Sequence, residues 1–203
     1  MKKFFWIIDA GHGGLNADGA YVTPGKRSTP EMGEPVYYEG VGNEVIASQL
    51  AGMLWRDKTP FALTRTSWQD EPLRKRISTG AVLASLQDLP AALISIHSNA
   101  GGGTGFEVFT SPGQDLSDKL AECMVAAFAE EFPDEKIRKD TSDGDSDKEA
   151  KFTMLVGHEW PAVLTENFFM DNHKDIAILR DPSTAERIAR FHFNAIKAFE
   201  NML

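Results

Sequence analysis

The sequence predicts an α/β fold in one domain, residues 1–203, with a mainly parallel, twisted sheet flanked by helices on both faces. Three observations carry this. Short apolar runs bounded by Gly-rich or polar turns read as buried strands. Segments with apolar residues at helical spacing separate those runs through the first half, as βαβ units and parallel pairing require. The length of 203 residues suits one sizeable core.

The first run, Phe4-Phe5-Trp6-Ile7-Ile8, gives a strand over about 3–9. Behind Met1-Lys2-Lys3 it mimics the start of a signal peptide. It reaches Asp9 after only five residues, however, and no small-residue cleavage site follows, so it reads as a strand. Residues 13–38 hold five Gly and three Pro and form a long loop, the kind that is functional or mobile in compact domains. Val45, Ile46, Leu50, Met53 and Leu54 mark a helix over 43–56. A strand over 60–64, a helix over 73–88 and strands over 91–97 and 105–110 follow, then a helix over 114–131 and a strand over 161–166. Helices fill the rest. The last opens on Ser183-Thr184-Ala185-Glu186, a capping-box pattern, and buries Ile188, Phe191, Ala195, Ile196 and Phe199. Residues 133–151 read as a solvated loop. Its spacing Asp143-x-Asp145-x-Asp147 invites a calcium reading, but Lys148 stands where an EF-hand needs Gly, so that loop pattern is not met. No internal repeat is apparent.

A formal net charge of -9 argues against nonspecific binding to nucleic acid or an anionic membrane surface. No apolar stretch is long enough to span a bilayer. The single cysteine, Cys123, excludes an intrachain disulfide and a cysteine-based zinc cluster. It falls in an amphipathic helical pattern and reads as a buried bystander.

The chemistry gathers at strand ends. His12 follows the first apolar run in Ile8-Asp9-Ala10-Gly11-His12-Gly13-Gly14. His97 ends another, in Ser95-Ile96-His97-Ser98-Asn99, and Glu166 ends a third, in Val163-Leu164-Thr165-Glu166. In open α/β sheets, ligands bind outside the carboxyl ends of the strands. Two His and one carboxylate with an open fourth position make a catalytic zinc site. His12, Glu39 and His97 are the expected ligands of one zinc ion. Glu39 sits at the end of the long loop, four residues before Asn43 and the first helix. Glu166 is the expected acid/base beside the metal. Glu107, in Gly105-Phe106-Glu107-Val108-Phe109, is a second carboxylate that strand alternation turns towards the site, and is an additional catalytic candidate. Each residue alone has a plainer reading. A Glu before a helix is most often a solvated first-turn acid, and a His in a Gly-rich turn is as often structural. The joint pattern is what speaks for a site. His158, His173 and His192 lack such context, and His158-Glu159-Trp160 is not the His-Glu-x-x-His zinc helix.

These residues resemble the zinc-dependent N-acetylmuramoyl-L-alanine amidases of the Amidase_3 type along nearly the whole chain. Ile8-Asp9-Ala10-Gly11-His12-Gly13-Gly14 resembles the family's opening metal motif. Glu39-x-x-x-Asn43-x-x-Ile46-Ala47-x-x-Leu50 resembles its second, which carries the glutamate ligand. Leu63-Thr64-Arg65-Thr66, Leu73-x-x-Arg76 and Ser95-Ile96-His97-Ser98-Asn99-Ala100 are similar to the middle segments, the last with the second His ligand. Pro161-Ala162-Val163-Leu164-Thr165-Glu166-x-Phe168-Phe169-x-x-Asn172 resembles the catalytic glutamate segment. Four motifs in register are highly specific. Glu44 is an alternative ligand to Glu39, but it falls where the family has an apolar residue and should lie within the helix. Thr165 and Asn167 depart from the apolar or small residues more usual beside the glutamate.

The resemblance implies hydrolysis of the amide between the lactyl group of N-acetylmuramic acid and the first L-alanine of the stem peptide of peptidoglycan. Two other readings compete: a zinc peptidase acting on another peptidoglycan amide, and a catalytically silent peptidoglycan-binding module. The expected partner is peptidoglycan, with no nucleic acid and no membrane span, and the expected state is a monomer. The expected place of action is the cell wall, extracellular, periplasmic or phage-released, with no signal peptide evident.

Overall fold

The apolar runs pair into a six-stranded sheet of order β2-β1-β3-β6-β4-β5. The strands are β1 (Phe5–Ala10), β2 (Phe61–Leu63), β3 (Ala91–Asn99), β4 (Phe106–Thr110), β5 (Lys148–Glu149) and β6 (Ala162–Phe169). The helices are α1 (Glu39–Arg56), α2 (Leu73–Ser85), α3 (Asp115–Glu131), α4 (His173–Arg180) and α5 (Thr184–Met202). The computed structural model describes residues 2–113, 115–142 and 144–203, Asp115 by its backbone alone. Met1, position 114 of the expected third helix and Asp143 lie outside the described residues.

β2, β1, β3 and β6 run parallel, so their carboxyl ends share one edge. β4 pairs antiparallel to β6, and β5 parallel to β4. The sheet is therefore mixed, and its parallel part, four of the six strands, carries the site.

Strand alternation sorts the core into two layers. Trp6 and Ile8 of β1 pack with Ile94 and Ile96 of β3 against α1, α3 and α5, the thicker layer. Phe5, Ile7, Leu93 and Leu164 face the other way, onto α2 and a short 3₁₀ turn at Thr153–Leu155. Ser95, His97 and Glu166 follow the alternation of Leu93 and Leu164, so they share the face of the thinner layer. Room for a cavity exists there because one helix and one short turn cover less of the sheet than three helices do. The expected apolar face of α5 is buried throughout, from Ile188 to Phe199, and each of its Ile and Phe side chains contributes about 1.5–3 kcal/mol.

Three local expectations are corrected. α1 begins at Glu39, four residues earlier than helical periodicity suggested. Gly40 and Gly42 weaken the local helix signal, and tertiary contacts override it. The capping box at Ser183 does not form: Ser183 has helical φ and ψ, and its hydroxyl donates instead to Asp181 at 2.7 Å. The loop 133–151 is not wholly solvated, since Ser146 and Asp147 are buried ahead of β5. Two-residue β5 is too short to announce itself in sequence.

Candidate metal centre and active site

His12 lies just past β1 with φ 63, a left-handed conformation uncommon for a non-Gly residue and frequent at functional sites. Several buried groups hold this turn. The Arg76 guanidinium donates to the His12 carbonyl at 2.9 Å and to Asp9 at 3.0 Å. Asp9 also accepts from Ser95 at 2.7 Å and from Thr64. Burial works against the Asp9 charge, yet Arg76 and then the two hydroxyls hold its carboxyl below the usual range. The Arg65 Nε–H donates to the Ala10 carbonyl at 3.1 Å, and the Asn43 amide to the Gly11 carbonyl at 3.2 Å.

Glu39 is the first residue of α1, not a loop residue as its sequence context suggested. The helix start approaches the His12 turn so closely that a Cβ on Gly40 would overlap the Gly13 carbonyl. A Cβ on Gly11 would overlap the His97 ring in the same way. Small residues at 11 and 40 are what allow three elements to converge.

The convergence is tight. Glu39 Oε1 lies 3.0 Å from His97 Nδ1 and 3.2 Å from His12 Nε2. It also accepts from the Ser98 N–H at 3.3 Å. The two imidazoles stand edge to face at 90°, with centroids 5.0 Å apart. One ligand atom from each of His12, Glu39 and His97 lies within 4.8 Å of the others, an arrangement that could hold a metal ion. Burial opposes ionisation of Glu39, but hydrogen bonds from His12 and His97 bring its carboxyl down to about 2. Burial disfavours the His97 charge, and Glu39 with Glu166 more than offsets it, raising the imidazole.

His97 and Glu166 are register partners across β3 and β6, just before a bulge in β6, where Asn167 and Phe168 together oppose Ser98. Both sit inside their strands rather than at the ends, because β3 continues to Asn99 and β6 to Phe169. Glu166 Oε2 is buried with no hydrogen-bond partner among the described residues. Burial above all, with Glu39 and Glu107 adding to it and His97 opposing, pushes the Glu166 carboxyl up to about 7. A carboxyl poised there can exchange a proton near neutral pH.

Glu107 faces Glu166 across β4 and β6. It is buried and engaged by Arg138 and by Lys148, the latter at 2.7 Å. It does not line the cavity that holds the other four, so its contact with Glu166 is electrostatic. Glu44 lies away from the cavity, paired with Arg65 at 3.0 Å. That cavity, about 580 Å³, is open to solvent and lined by His12, Glu39, His97 and Glu166. Lys26, Lys151 and Phe152 also line it, and no local pattern in the sequence marks them. The Asp9–Arg76 pair was visible only as motif residues without a role. A charged pair beside strand residues was the available signal.

The Amidase_3 family model, described as N-acetylmuramoyl-L-alanine amidase, matches residues 7–198. The N-acetylmuramoyl-L-alanine amidase CwlM of Bacillus licheniformis is 36% identical over 144 residues, covering 69% of this chain and 51% of its own length. An endolysin of Bacillus phage SPP1 is 26% identical over 203 residues, covering 100% of this chain and 68% of its own length. The chain thus spans about half the length (51% and 40%) of the first two curated relatives it matches. The solved N-acetylmuramyl-L-alanine amidase Ami1 of Mycobacterium abscessus superposes with a TM-score of 0.76 at 19% identity, over 98% of this chain and 99% of that one. The catalytic domain of CwlV from Bacillus (Paenibacillus) polymyxa gives 0.74 at 23% identity, over 100% of both chains. At such identity these two likenesses speak for the fold.

Proposed function

The chain belongs to the Amidase_3 family of N-acetylmuramoyl-L-alanine amidases, and on that premise we propose that it is a zinc-dependent amidase of bacterial peptidoglycan. The bond cut is the amide joining the N-acetylmuramic acid lactyl group to the L-alanine of the stem peptide. The observation that carries this reading is the convergence of two imidazoles and one ionised carboxylate beside a buried carboxyl with an orphaned oxygen.

The donor set fits zinc: two nitrogens and one carboxylate oxygen match the ligand types of catalytic zinc sites. His12, Glu39 and His97 would hold the ion. A zinc ion there would polarise the scissile carbonyl and make water more acidic.

The chain's own residues supply the rest. Glu166, its carboxyl pushed up to about 7 chiefly by burial, takes one proton from the attacking water. The water oxygen bonds to the carbonyl carbon. Glu166 then returns that proton to the amide nitrogen as the C–N bond breaks. The products are a free lactyl carboxylate and a stem peptide with a free L-alanine amine, so atoms balance with water as the co-reactant. Glu107, held by Arg138 and Lys148, raises the proton affinity of Glu166 through its charge. Phe152 supplies apolar wall to the cavity, and Lys26 and Lys151 supply positive charge at its rim, suited to stem-peptide carboxylates. The place of action is the cell wall. Among the described residues no helix is long and apolar enough to cross a membrane.

Mass spectrometry of purified peptidoglycan digested with zinc-loaded protein tests the reaction. Free stem peptides beginning at L-alanine, intact glycan strands and no product in a chelated control are expected. Cuts elsewhere in the peptide would replace the amidase reading with a peptidase one.

A further inference from the structure

Asp145 and Asp147 have no part in the centre described above, and the fold brings them a carboxylate from elsewhere. Asp118, in the first turn of α3, meets Asp145 and Asp147 with one oxygen of each within 4.8 Å of the others. Asp147 is only 2% exposed. Its Oδ2 accepts from the Thr110 hydroxyl at 2.5 Å. Its Oδ1 is buried with no hydrogen-bond partner among the described residues, a costly state for a carboxylate oxygen unless a counter-charge meets it. Asp118 and Asp145 also line an open surface groove, giving an ion a way in. Burial foremost pushes the Asp147 carboxyl up; the Thr110 bond opposes this, the Asp118 charge adds to it, and a contact with the neighbouring Asp145 carboxyl opposes it again.

We propose that Asp118, Asp145 and Asp147 form a binding site for a calcium ion, separate from the His12–Glu39–His97 centre. All three donors are carboxylates, with no nitrogen or sulfur among them, which selects a hard cation. Calcium tolerates irregular geometry and mixed mono- and bidentate carboxylates, whereas magnesium demands near-ideal octahedral placement. The loop fails the EF-hand pattern at Lys148, and the third carboxylate comes instead from α3.

The position gives the ion a structural role next to the cavity. Asp147 directly precedes β5. Lys148 donates to Glu107 at 2.7 Å, and Glu149 accepts from the Gly113 N–H at 3.1 Å. Lys151 and Phe152 then form part of the cavity wall. An ion at Asp147 fastens this segment to α3 and β4, and so steadies that wall.

Calorimetric titration of calcium chloride into zinc-loaded protein, with magnesium chloride in parallel, tests the proposal. Wild type, Asp118→Asn and Asp145→Asn are compared; both variants keep the Asp147–Thr110 contact. The expected result is one calcium per chain with a Kd on the order of 10⁻⁴ to 10⁻³ M, weakened at least about tenfold in each variant. Saturating calcium should also raise the wild-type Tm by about 3–6 °C, without displacing zinc. Absence of calcium binding to wild type would overturn the proposal, as would wild-type affinity in both variants or tighter binding of magnesium. Variants more stable than wild type, with no calcium effect on any of the three, would mean carboxylate repulsion alone.

Discussion

Glu166 stands beside His97 in the parallel register of β3 and β6 and opposite Glu107 in the antiparallel register of β6 and β4. One sheet position therefore carries an imidazole and two carboxylates side by side. The Glu107 charge is balanced by Arg138 and Lys148. Glu166 Oε2 has no such partner among the described residues. Two glutamates on adjacent strands thus take different parts, one fixed in an ion-pair network and one turned to the cavity.

Removing a ligand should remove the metal before it removes the fold. His12→Ala and His97→Ala are each expected to lower zinc content, measured by atomic absorption on purified protein, from one equivalent to well under half. Each should leave circular dichroism unchanged. Full zinc retention in either variant would take that residue out of the ligand set.

The Asp9–Arg76 pair is buried on both sides, at 0% and 1% side-chain exposure. Truncating one member leaves the other charge stranded, at a cost of about 3–5 kcal/mol. Arg76→Met should lower Tm by roughly 10 °C and reduce activity as well, because Arg76 also holds the His12 carbonyl. Combining it with Asp9→Asn should recover part of the lost stability. A fully additive double variant would show that the two charges are not coupled.

Gly40 and Gly52 both lie in α1, but only Gly40 abuts the metal-binding turn. A Cβ at 40 meets the Gly13 backbone, while one at 52 meets nothing nearer than the Arg56 side chain at 3.6 Å. Gly40→Ala should weaken zinc binding at least about tenfold, as expected when groups that orient ligands are disturbed. Gly52→Ala should raise stability by about 0.5–1 kcal/mol. Equal zinc affinities in the two variants would contradict the close-approach argument.

His192 provides a pH signature remote from the metal centre. Burial lowers its imidazole to about 4, against an opposing bond to the Ile188 carbonyl. With Nδ1 donating to Ile188, Nε2 accepts from the Thr165 hydroxyl at 2.9 Å. The folded value lies below the unfolded value of about 6.5, so the unfolded chain binds more protons between them. This contribution is intact above about pH 6.5 and is lost as pH falls towards about 4, by roughly 3 kcal/mol in total. Urea denaturation at several pH values should show a steeper acid loss for wild type than for His192→Gln. Parallel losses would mean that His192 titrates normally.

Much of the sheet and both candidate imidazoles were legible because apolar runs report burial and His12 and His97 adjoin such runs directly. Glu39 was legible as a residue but misplaced, since two Gly in the first turn hide the start of α1. The antiparallel setting of β4 and the existence of β5 depend on pairings between distant segments, which periodicity does not encode. The same applies to Glu107: alternation turned it towards Glu166, but its ion pairs come from Arg138 and Lys148, 31 and 41 residues away. Asp118 meets Asp145 and Asp147 only through the docking of α3, so spacing along the 143–147 segment could not reveal that cluster.

The most direct test of the central claim is to measure zinc content and peptidoglycan amide cleavage on the same preparation of Glu166→Gln. The ligands His12, Glu39 and His97 are untouched, so one zinc per chain should remain. Release of stem peptides should fall by about 10²–10⁴-fold, the usual contribution of a positioned acid/base. A variant that keeps its zinc and cleaves at the wild-type rate would remove Glu166 from the reaction and contradict the account.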